Sequence, residues 1–434
     1  MNGIGKVRSG GSPMAEPNIC VAQLGARRHY AIPSILHSRG WLSRFYTDLF
    51  AESWPIRAMS AIPIVNRTGA IRRAQARRIT DLPRHFIHDF PLFGIQRMLR
   101  ASGNRSTSDR YASYVEANTQ FGKRVCHAGF GAANTAYVFN GAGLEIIQAA
   151  KRHGLKTIVE QTAADQAFEE NLLAEERERW PNWEQANVAA EDWQQLSQRE
   201  QEERELADLV VCGSDYVRES IQNVGGDTSR CAVVPYGYNT INPETRQRKS
   251  SSTLNVLFAG TLCLRKGVQY LVQAAAAMKS AGMTLRVVGP NAVSDHAQQE
   301  IQSRLDYAGV IPRAEMSGQY DWADVFVLPT LSEGSANVCY EALANGLPVI
   351  TTSHAGSVIR DGRDGFIVPI RSSDQIVEKL VQLRDDPDLW RAMSENAAKR
   401  AQEFTWEFYA QRLLASVSSI FAESTELLIE NPAK

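Results

Sequence analysis

The sequence has no C-x-x-C pair and no apolar run approaching the ~20 residues that a membrane span needs. Its six cysteines (Cys20, Cys126, Cys212, Cys231, Cys263 and Cys339) are scattered, mostly beside apolar, strand-like runs. That argues against a disulfide framework or a thiolate zinc site, and for reduced, buried thiols in a cytosolic protein. The opening stretch MNGIGKVRSGGSPMAEP lacks the hydrophobic segment of a signal peptide, so residues 1–16 are expected to be a disordered lead-in. No nucleic-acid motif accompanies the basic residues, and nucleic acid is not an expected partner.

What the chain does have is length and alternation. Its 434 residues exceed one ordinary core and predict two domains of roughly 200 residues each. With 44% hydrophobic and 22% charged residues, the composition is that of a folded globular chain. The formal net charge is −1, yet residues 1–160 carry roughly thirteen excess positive charges and the remainder about as many negative ones. The basic excess includes Arg72, Arg73, Arg77, Arg78 and Arg84. Such a cluster suits an anionic membrane or acceptor; a solvated arginine-rich helix face is the plainer reading of the same residues.

In chain order, Asn18–Gln23 reads as a strand, Leu24–Tyr30 as a glycine turn, and a helix follows from about Ala31. Trp41–Tyr46, Ala136–Phe139, Lys156–Glu160, Ala207–Cys212 and Cys231–Pro235 read as further strands, while residues 50–120 are mainly helical in pattern. The glycines of Asn140–Gly143 resemble part of a dinucleotide fingerprint but lack the third glycine near Ile146, so an oxidoreductase is a weak alternative. The acidic stretch from Phe168 to Leu206 reads as amphipathic helices with inward tryptophans. Residues 239–253, polar and without apolar period, read as a linker. A second alternating unit then begins at Leu254–Ala259 and continues through Thr284–Val288, Val325–Leu328, Pro348–Thr352 and Phe366–Val368. Its centre is VFVLPTLSEGSANVCYEALANGLPVITT, a strand, a turn, a helix from Ser335 or Ala336 closed by Asn345-Gly346, and a second strand. Glu333 falls in the turn and Glu341 about two turns inside that helix.

Three features of this second unit point to one chemistry. The loop Gly260–Gly267 puts Arg265 and Lys266 between a strand and a helix, where guanidinium and ammonium can meet phosphate oxygens. The amides opening the helix near Ser335 favour an anion or a polar sugar edge. Glu333 and Glu341, when ionised, only accept hydrogen bonds, and vicinal hydroxyls offer paired donors. Together they describe a site for a nucleoside diphosphate carrying a sugar. Each alone is ordinary: a solvated turn, a surface helix, two glutamates at a chance spacing.

The same residues resemble the family-4 glycosyltransferases of GT-B fold, whose signature is a glutamate, seven residues and a second glutamate. Glu333 to Glu341 has that spacing inside E-G-S-A-N-V-C-Y-E-A-L-A-N-G-L-P-V-I, and the likeness extends to PRAEMSGQYDWADVFVLPTLSEG, DGRDGFIVP, VVCGSDYVRESI, VVPYGYN and EFTWEFYAQRLL. The resemblance implies two Rossmann-like doubly wound domains facing each other across a cleft: 17–238 on the acceptor side, 254–404 on the donor side, and a closing helix over 405–434 that packs back on the first domain. It implies retaining transfer from a nucleotide-diphosphate sugar to a hydroxyl of a glycan, lipid-linked or small-molecule acceptor. Lys266 and Arg265 would stabilise the pyrophosphate, Glu333 would contact the donor sugar, and Glu341 would bind the ribose hydroxyls. Gly25, Gly260, Thr261 and the amides of Gly334, Ser335, Ala336, Asn337 and Val338 would complete the donor site. No metal or other cofactor is expected; the string Asp386-Pro387-Asp388 reads as a helix cap. A cytoplasmic chain touching the inner face of an anionic membrane fits this picture.

Two departures stand out. Many members have a histidine after the strand that matches AYVFN, where this chain has Phe139-Asn140. Their Gly-x-Pro-Glu turn is replaced by Ala355-Gly356-Ser357-Val358. A non-catalytic nucleotide-sugar binder of the same fold is therefore the main alternative.

Overall fold

The computed structural model describes residues 16–62, 69–75, 77–100, 107–184, 190–239 and 253–429. Nearly all of the expected lead-in (1–16) and linker (239–253) lies outside these residues. Among the described residues, the first half runs β1 (Ile19–Gln23), α1 (Ala31–Ser38), β2 (Leu42–Thr47), α2 (Trp54–Ser60), α3 (Gly69–Gln75), β3 (Ile87–Asp89), α4 (Pro91–Arg100), α5 (Thr107–Ala128), β4 (Thr135–Phe139), α6 (Leu144–Arg152) and β5 (Lys156–Gln161). It continues with α7 (Gln166–Arg179), α8 (Ala190–Leu206), β6 (Leu209–Cys212), α9 (Asp215–Asn223) and β7 (Cys231–Val233). The second half runs β8 (Leu254–Ala259), α10 (Val268–Ser280), β9 (Met283–Val288), α11 (Asp295–Arg304), β10 (Asp306–Gly309), α12 (Met316–Trp322), β11 (Val325–Leu328), α13 (Asn337–Ala344), β12 (Val349–Thr351) and β13 (Gly365–Ile367). Three helices close the chain: α14 (Ser373–Asp385), α15 (Pro387–Gln402) and α16 (Trp406–Ile429).

The strands form two sheets, ordered β3-β2-β1-β4-β5-β6-β7 and β10-β9-β8-β11-β12-β13. Neighbours run parallel in both. Helices therefore cover both faces, and the central strands must be apolar on both sides. That is why ICVAQ of β1, TAYVF of β4 and VFVL of β11 are buried along their whole length. In each sheet the order reverses beside the opening strand, between β1 and β4 and between β8 and β11. Loops leaving the carboxyl ends of those pairs diverge and leave a crevice.

Local chemistry sets the helix ends. Asp165 accepts from the amides of Ala167 and Phe168 to start α7, and Ser214 accepts from Val217 to start α9. Asp386 accepts from the amides of Asp388 and Leu389, so Asp386-Pro387-Asp388 is the cap of α15. Gly346, at φ +65°, turns the chain out of α13. Among the described residues no helix is long and apolar enough to cross a membrane.

One hydrophobic cluster runs from Ile19, Tyr137 and Val211 of the first sheet to Val256, Phe326 and Ile350 of the second. The chain end returns to the first half: Tyr409 of α16 packs edge-on against Tyr236, and the Arg412 guanidinium donates to the Pro235 carbonyl. Three sequence expectations need correction. Ile87–Asp89, inside a stretch expected to be mainly helical, is β3, and Asp306–Gly309 is β10, where no strand is expected. Both are short edge strands with half-exposed side chains, so neither carries the apolar run that marks a central strand. Helix α13 begins only at Asn337, which puts Glu341 just over one turn inside it.

Candidate functional site

The loops that follow β8 and β11 meet at the second sheet's reversal. Gly267 ends the first loop at φ +74°, and a Cβ there would lie 1.9 Å from the Pro329 carbonyl oxygen, so only glycine lets the two loops close. The Arg265 carbonyl accepts from the Leu331 amide at 2.8 Å and from Thr330 Oγ1 at 2.9 Å. This fastening brings both adjacent cations to the turn. Arg265 Nη1 donates to the Ser332 carbonyl at 2.8 Å and to Glu333 Oε1 at 2.7 Å. Lys266 Nζ pairs with the same Glu333 oxygen. The three expected catalytic residues therefore form one cluster, largely withdrawn from solvent.

Two more carboxyl groups reach this cluster from the first half. Glu169 of α7 accepts from Ser332 Oγ at 2.5 Å, and Glu184 accepts from the Leu264 amide at 2.7 Å. Burial pushes the Glu169 carboxyl above the usual carboxylate range, and Arg265 opposes it. Burial works against the charge of Arg265, but Glu333 and Glu169 outweigh that and raise its pKa. Glu176, seven residues on and buried, accepts from Tyr270 at 2.7 Å and pairs with Arg371. Through α7 and Glu184 the acidic stretch thus straps across the Gly260–Gly267 loop and the start of α10. Its signal in the sequence was the i, i+7 spacing of Glu169 and Glu176, which places both on one helix face.

Apart from Gly25, the other expected donor residues fall around this corner. Gly334 abuts the first half so closely that a Cβ would lie 1.9 Å from the Thr162 carbonyl oxygen. Ser335 and Ala336 are buried, with Ser335 Oγ 2.9 Å from the Tyr340 hydroxyl, while Asn337 is exposed and Val338 half-buried. No side chain caps α13, although the Ala336 amide, one of those expected to face the donor, already donates to the Ala355 carbonyl at 3.0 Å. Glu341 accepts from the buried Tyr320 hydroxyl at 2.6 Å, on a different partner from the Glu333 cluster. Burial, then the Glu341 charge, raises the Tyr320 pKa far above its ordinary value, keeping the phenol a donor. Gly260 lies beside the Lys266 stem, with a built Cβ 3.7 Å from Cε, and Thr261 is half-buried next to it.

The first sheet's reversal is built differently. Gly25, at φ +80°, donates its amide to Asp48 Oδ1 at 3.0 Å. Burial works to raise the Asp48 pKa, but Arg97 and Arg77 outweigh it and hold the carboxyl below its ordinary value. Opposite, the Gly141, Gly143 and Leu144 amides opening α6 all donate to the Glu203 carboxyl, at 2.6, 2.8 and 2.9 Å. The place a dinucleotide phosphate would take is filled by the chain itself, which removes the oxidoreductase reading.

Asn140, standing where a histidine was expected, is a hub. Its Oδ1 accepts from Thr162 Oγ1 at 2.8 Å and Arg27 Nη1 at 3.3 Å, and its Nδ2 donates to Glu200 at 2.7 Å. Arg27 also donates to Thr162 Oγ1 and the Tyr114 hydroxyl, and among the described residues no carboxylate pairs with it. A cavity of about 420 Å³ opens here, lined by Arg27, Tyr111, Tyr114, Asn140, Gln166 and Glu169 among others. Glu169 therefore borders both this cavity and the Glu333 turn. Nothing local in the sequence announced Arg27, because its partners lie 87 to 135 residues away.

Residues 253–386 match the family model for glycosyl transferases group 1. Among curated proteins, the chain is 31% identical over 219 residues to the D-inositol 3-phosphate glycosyltransferase of Arthrobacter sp. (strain FB24), covering 46% of this chain and 52% of that one. It is 27% identical over 333 residues to the protein of the same name from Pseudarthrobacter chlorophenolicus, covering 70% and 74%. The chain spans about half the length of the first of these relatives. Among solved structures, sucrose-phosphate synthase from Thermosynechococcus elongatus superposes with TM-score 0.64 at 17% identity, over 94% of this chain and all of that one. Anabaena Alr3699/HepE in complex with UDP and glucose superposes with TM-score 0.58 at 15% identity, over 93% and 100%. At these identities the structural likeness establishes the fold.

Proposed function

We propose, from the premise that residues 253–386 are a glycosyl transferases group 1 domain in a chain of GT-B fold, that the protein transfers a sugar from a nucleoside-diphosphate sugar to an acceptor hydroxyl with retention of configuration. The observation that carries this reading is the convergence of Arg265, Lys266 and Glu333 beside the uncapped start of α13. Lys266 and Arg265 neutralise charge as the diphosphate departs, the part of the reaction most sensitive to fixed charge in a partly dry site. They take the role a metal would otherwise play, and the reading includes no cofactor. Glu333 orients the sugar by accepting from its hydroxyls, and Glu341, steadied by Tyr320, accepts from the ribose diol. Gly25, Gly260, Thr261 and the backbone of 334–338 line the donor.

The acceptor enters through the cavity around Arg27 and Tyr114. A cation with no carboxylate partner among the described residues suits an acceptor carrying an anionic group, and the two tyrosines suit a sugar or polyol ring. Relatives named D-inositol 3-phosphate glycosyltransferase are consistent with that class. Glycan and lipid-linked hydroxyls belong to the same reading, as do a cytoplasmic location and peripheral contact with an anionic membrane.

The test is release of nucleoside diphosphate from a panel of nucleotide sugars, with and without phosphorylated polyol acceptors. Release stimulated by an acceptor is the expected result. A second reading, a non-catalytic binder, has one observation in its favour: Asn140, in the place of a histidine, bonds to Glu200 and Thr162 of its own chain. Binding of a nucleoside diphosphate without release from any donor would establish that reading and overturn ours.

A further inference from the structure

Helices α2, α3 and α4 form a small body of their own on the first half. Leu49, Ile56, Ile71 and Ala74 make a separate apolar cluster, joined by Met59, Ile95 and Met98. Gln75 Nε2 donates to Ser60 Oγ at 2.8 Å and ties α3 to α2. On α4, Gly94 lies so close to the first sheet that a Cβ would meet the Asp48 carbonyl oxygen at 2.8 Å, which fixes which face of the helix looks inward. The inward faces are therefore saturated.

The outward faces are unusual. Along α2 and just past its end, Trp54, Arg57, Ala58, Ala61 and Ile62 are exposed, the i, i+3, i+4, i+7, i+8 stripe of one helix face. On α4, Leu92 and Leu99, seven residues apart and so on one face, are exposed with Gln96 and Arg100 between and beside them. Leu92 is 71% exposed, Leu99 67%, Trp54 62% and Ile62 51%. Apolar side chains of this size are seldom left in water together without a partner. The charge around them has one dominant sign. Residues 52–100 hold nine arginines against Glu52, Asp81 and Asp89. Arg84 pairs with Asp89, Arg77 and Arg97 both pair with Asp48, and Arg100 pairs with Glu116. Arg57, Arg72 and Arg78 are exposed, with no acidic partner among the described residues.

We infer that the outer face of α2 and α4, with α3 beside them, is a docking surface for an anionic lipid bilayer. Trp54, Ile62, Leu92 and Leu99 enter the headgroup region, and Arg57, Arg72 and Arg78 meet its negative charge. A bilayer fits better than a protein partner because the face pairs apolar tips with cations and has no acid on either helix, the complement of an anionic surface. This rests on the peripheral-membrane part of the proposed function and not on catalysis, so the two fail separately: vesicle binding is measured without any donor or acceptor.

The experiment is flotation of the full chain with phosphatidylcholine vesicles prepared with and without phosphatidylglycerol, at low and high salt. The chain should float with the anionic vesicles only, and less at high salt. Replacing Arg57, Arg72 and Arg78 together by glutamate should lower partitioning at least about tenfold at low salt. Trp54→Ser with Leu99→Ser should lower it at low and high salt alike. All these positions are exposed, so unchanged thermal unfolding identifies the variants as folded. No flotation with anionic vesicles, or flotation indifferent to both variants, overturns the inference. So does a concentration-dependent dimer abolished by Leu92→Ser and Leu99→Ser without vesicle binding, which would assign the face to a second copy of the chain.

Discussion

The two sheets offer the same opportunity and the chain uses it in opposite ways. In each, the strand order reverses beside the opening strand and a helix starts close to the crevice. At the first reversal the α6 amides are closed by Glu203, a buried group of the same chain. At the second, α13 has no side-chain cap, and Arg265 and Lys266 stand beside it on one carboxylate. Fold position makes an anion site available; it does not make one vacant. The difference teaches that a glycine-rich strand-to-helix turn becomes a candidate binding site only when no side chain of the same chain closes over its amides.

That contrast can be broken or sharpened by substitution. The largest effect is expected at the second reversal, where Lys266→Ala should lower turnover by roughly two to three orders of magnitude. Thermal unfolding should move little, since Arg265 stays paired with Glu333 when Lys266 is removed, and steady-state kinetics with the donor found in the panel will check the turnover. At the first reversal the effect should be on folding instead. Glu203→Ala leaves three amides without their acceptor and should cost about 2 kcal/mol or more, read from denaturant unfolding, with KM for the donor unchanged. A turnover loss at Glu203 matching that at Lys266, without loss of stability, would erase the distinction.

The pH dependence carries the same message more finely. Burial, and then the charge of Glu200, pushes the Glu203 carboxyl from 4.5 up to about 8. A raised carboxyl favours the folded state while it is protonated. Its contribution is fully present below 4.5 and is lost as pH rises to about 8. Wild-type stability should therefore fall across that window relative to Glu203→Gln, which cannot ionise. Parallel stability curves for the two proteins would contradict the assignment. The smallest effect separates Glu333 from Glu341: Glu341→Ala should weaken nucleoside diphosphate binding about tenfold, the value of one or two hydrogen bonds from ribose. Glu333→Ala should weaken it less, because that change also releases Arg265 and Lys266 from their internal partner. Calorimetry giving equal losses would undo the division of roles.

What could be read from the sequence followed the same divide. The second half announces itself locally: β8 and β11 are largely apolar, buried runs, and the residues that meet after them lie in two short loops. Once the strands are taken as neighbours in a doubly wound sheet, Arg265, Lys266 and Glu333 have to converge. The first half works through distant pairings. Asn140 joins Glu200 across 60 residues, Arg27 joins Thr162 across 135, and Glu169 reaches Ser332 across 163. No periodicity reports the partners of Asn140 and Arg27, and the i, i+7 spacing of Glu169 and Glu176 marks a shared helix face without pointing to Ser332. Edge strands β3 and β10 were hidden for a related reason: half-exposed strands lack the continuous apolar pattern on which recognition depends. Helix α13 was legible in kind but not in its first residue, since Ala336 offers no capping oxygen to mark the start.

The central claim is that the second reversal is a diphosphate site held by two cations. Isothermal titration of a panel of nucleoside diphosphates into the wild-type chain and into the Arg265→Ala, Lys266→Ala double variant tests it most directly. At least one nucleotide should bind the wild type and bind the variant about a hundredfold more weakly, the expectation for losing charge-assisted bonds to phosphate. Equal affinity for both proteins, or no binding to the wild type by any nucleoside diphosphate, would contradict it.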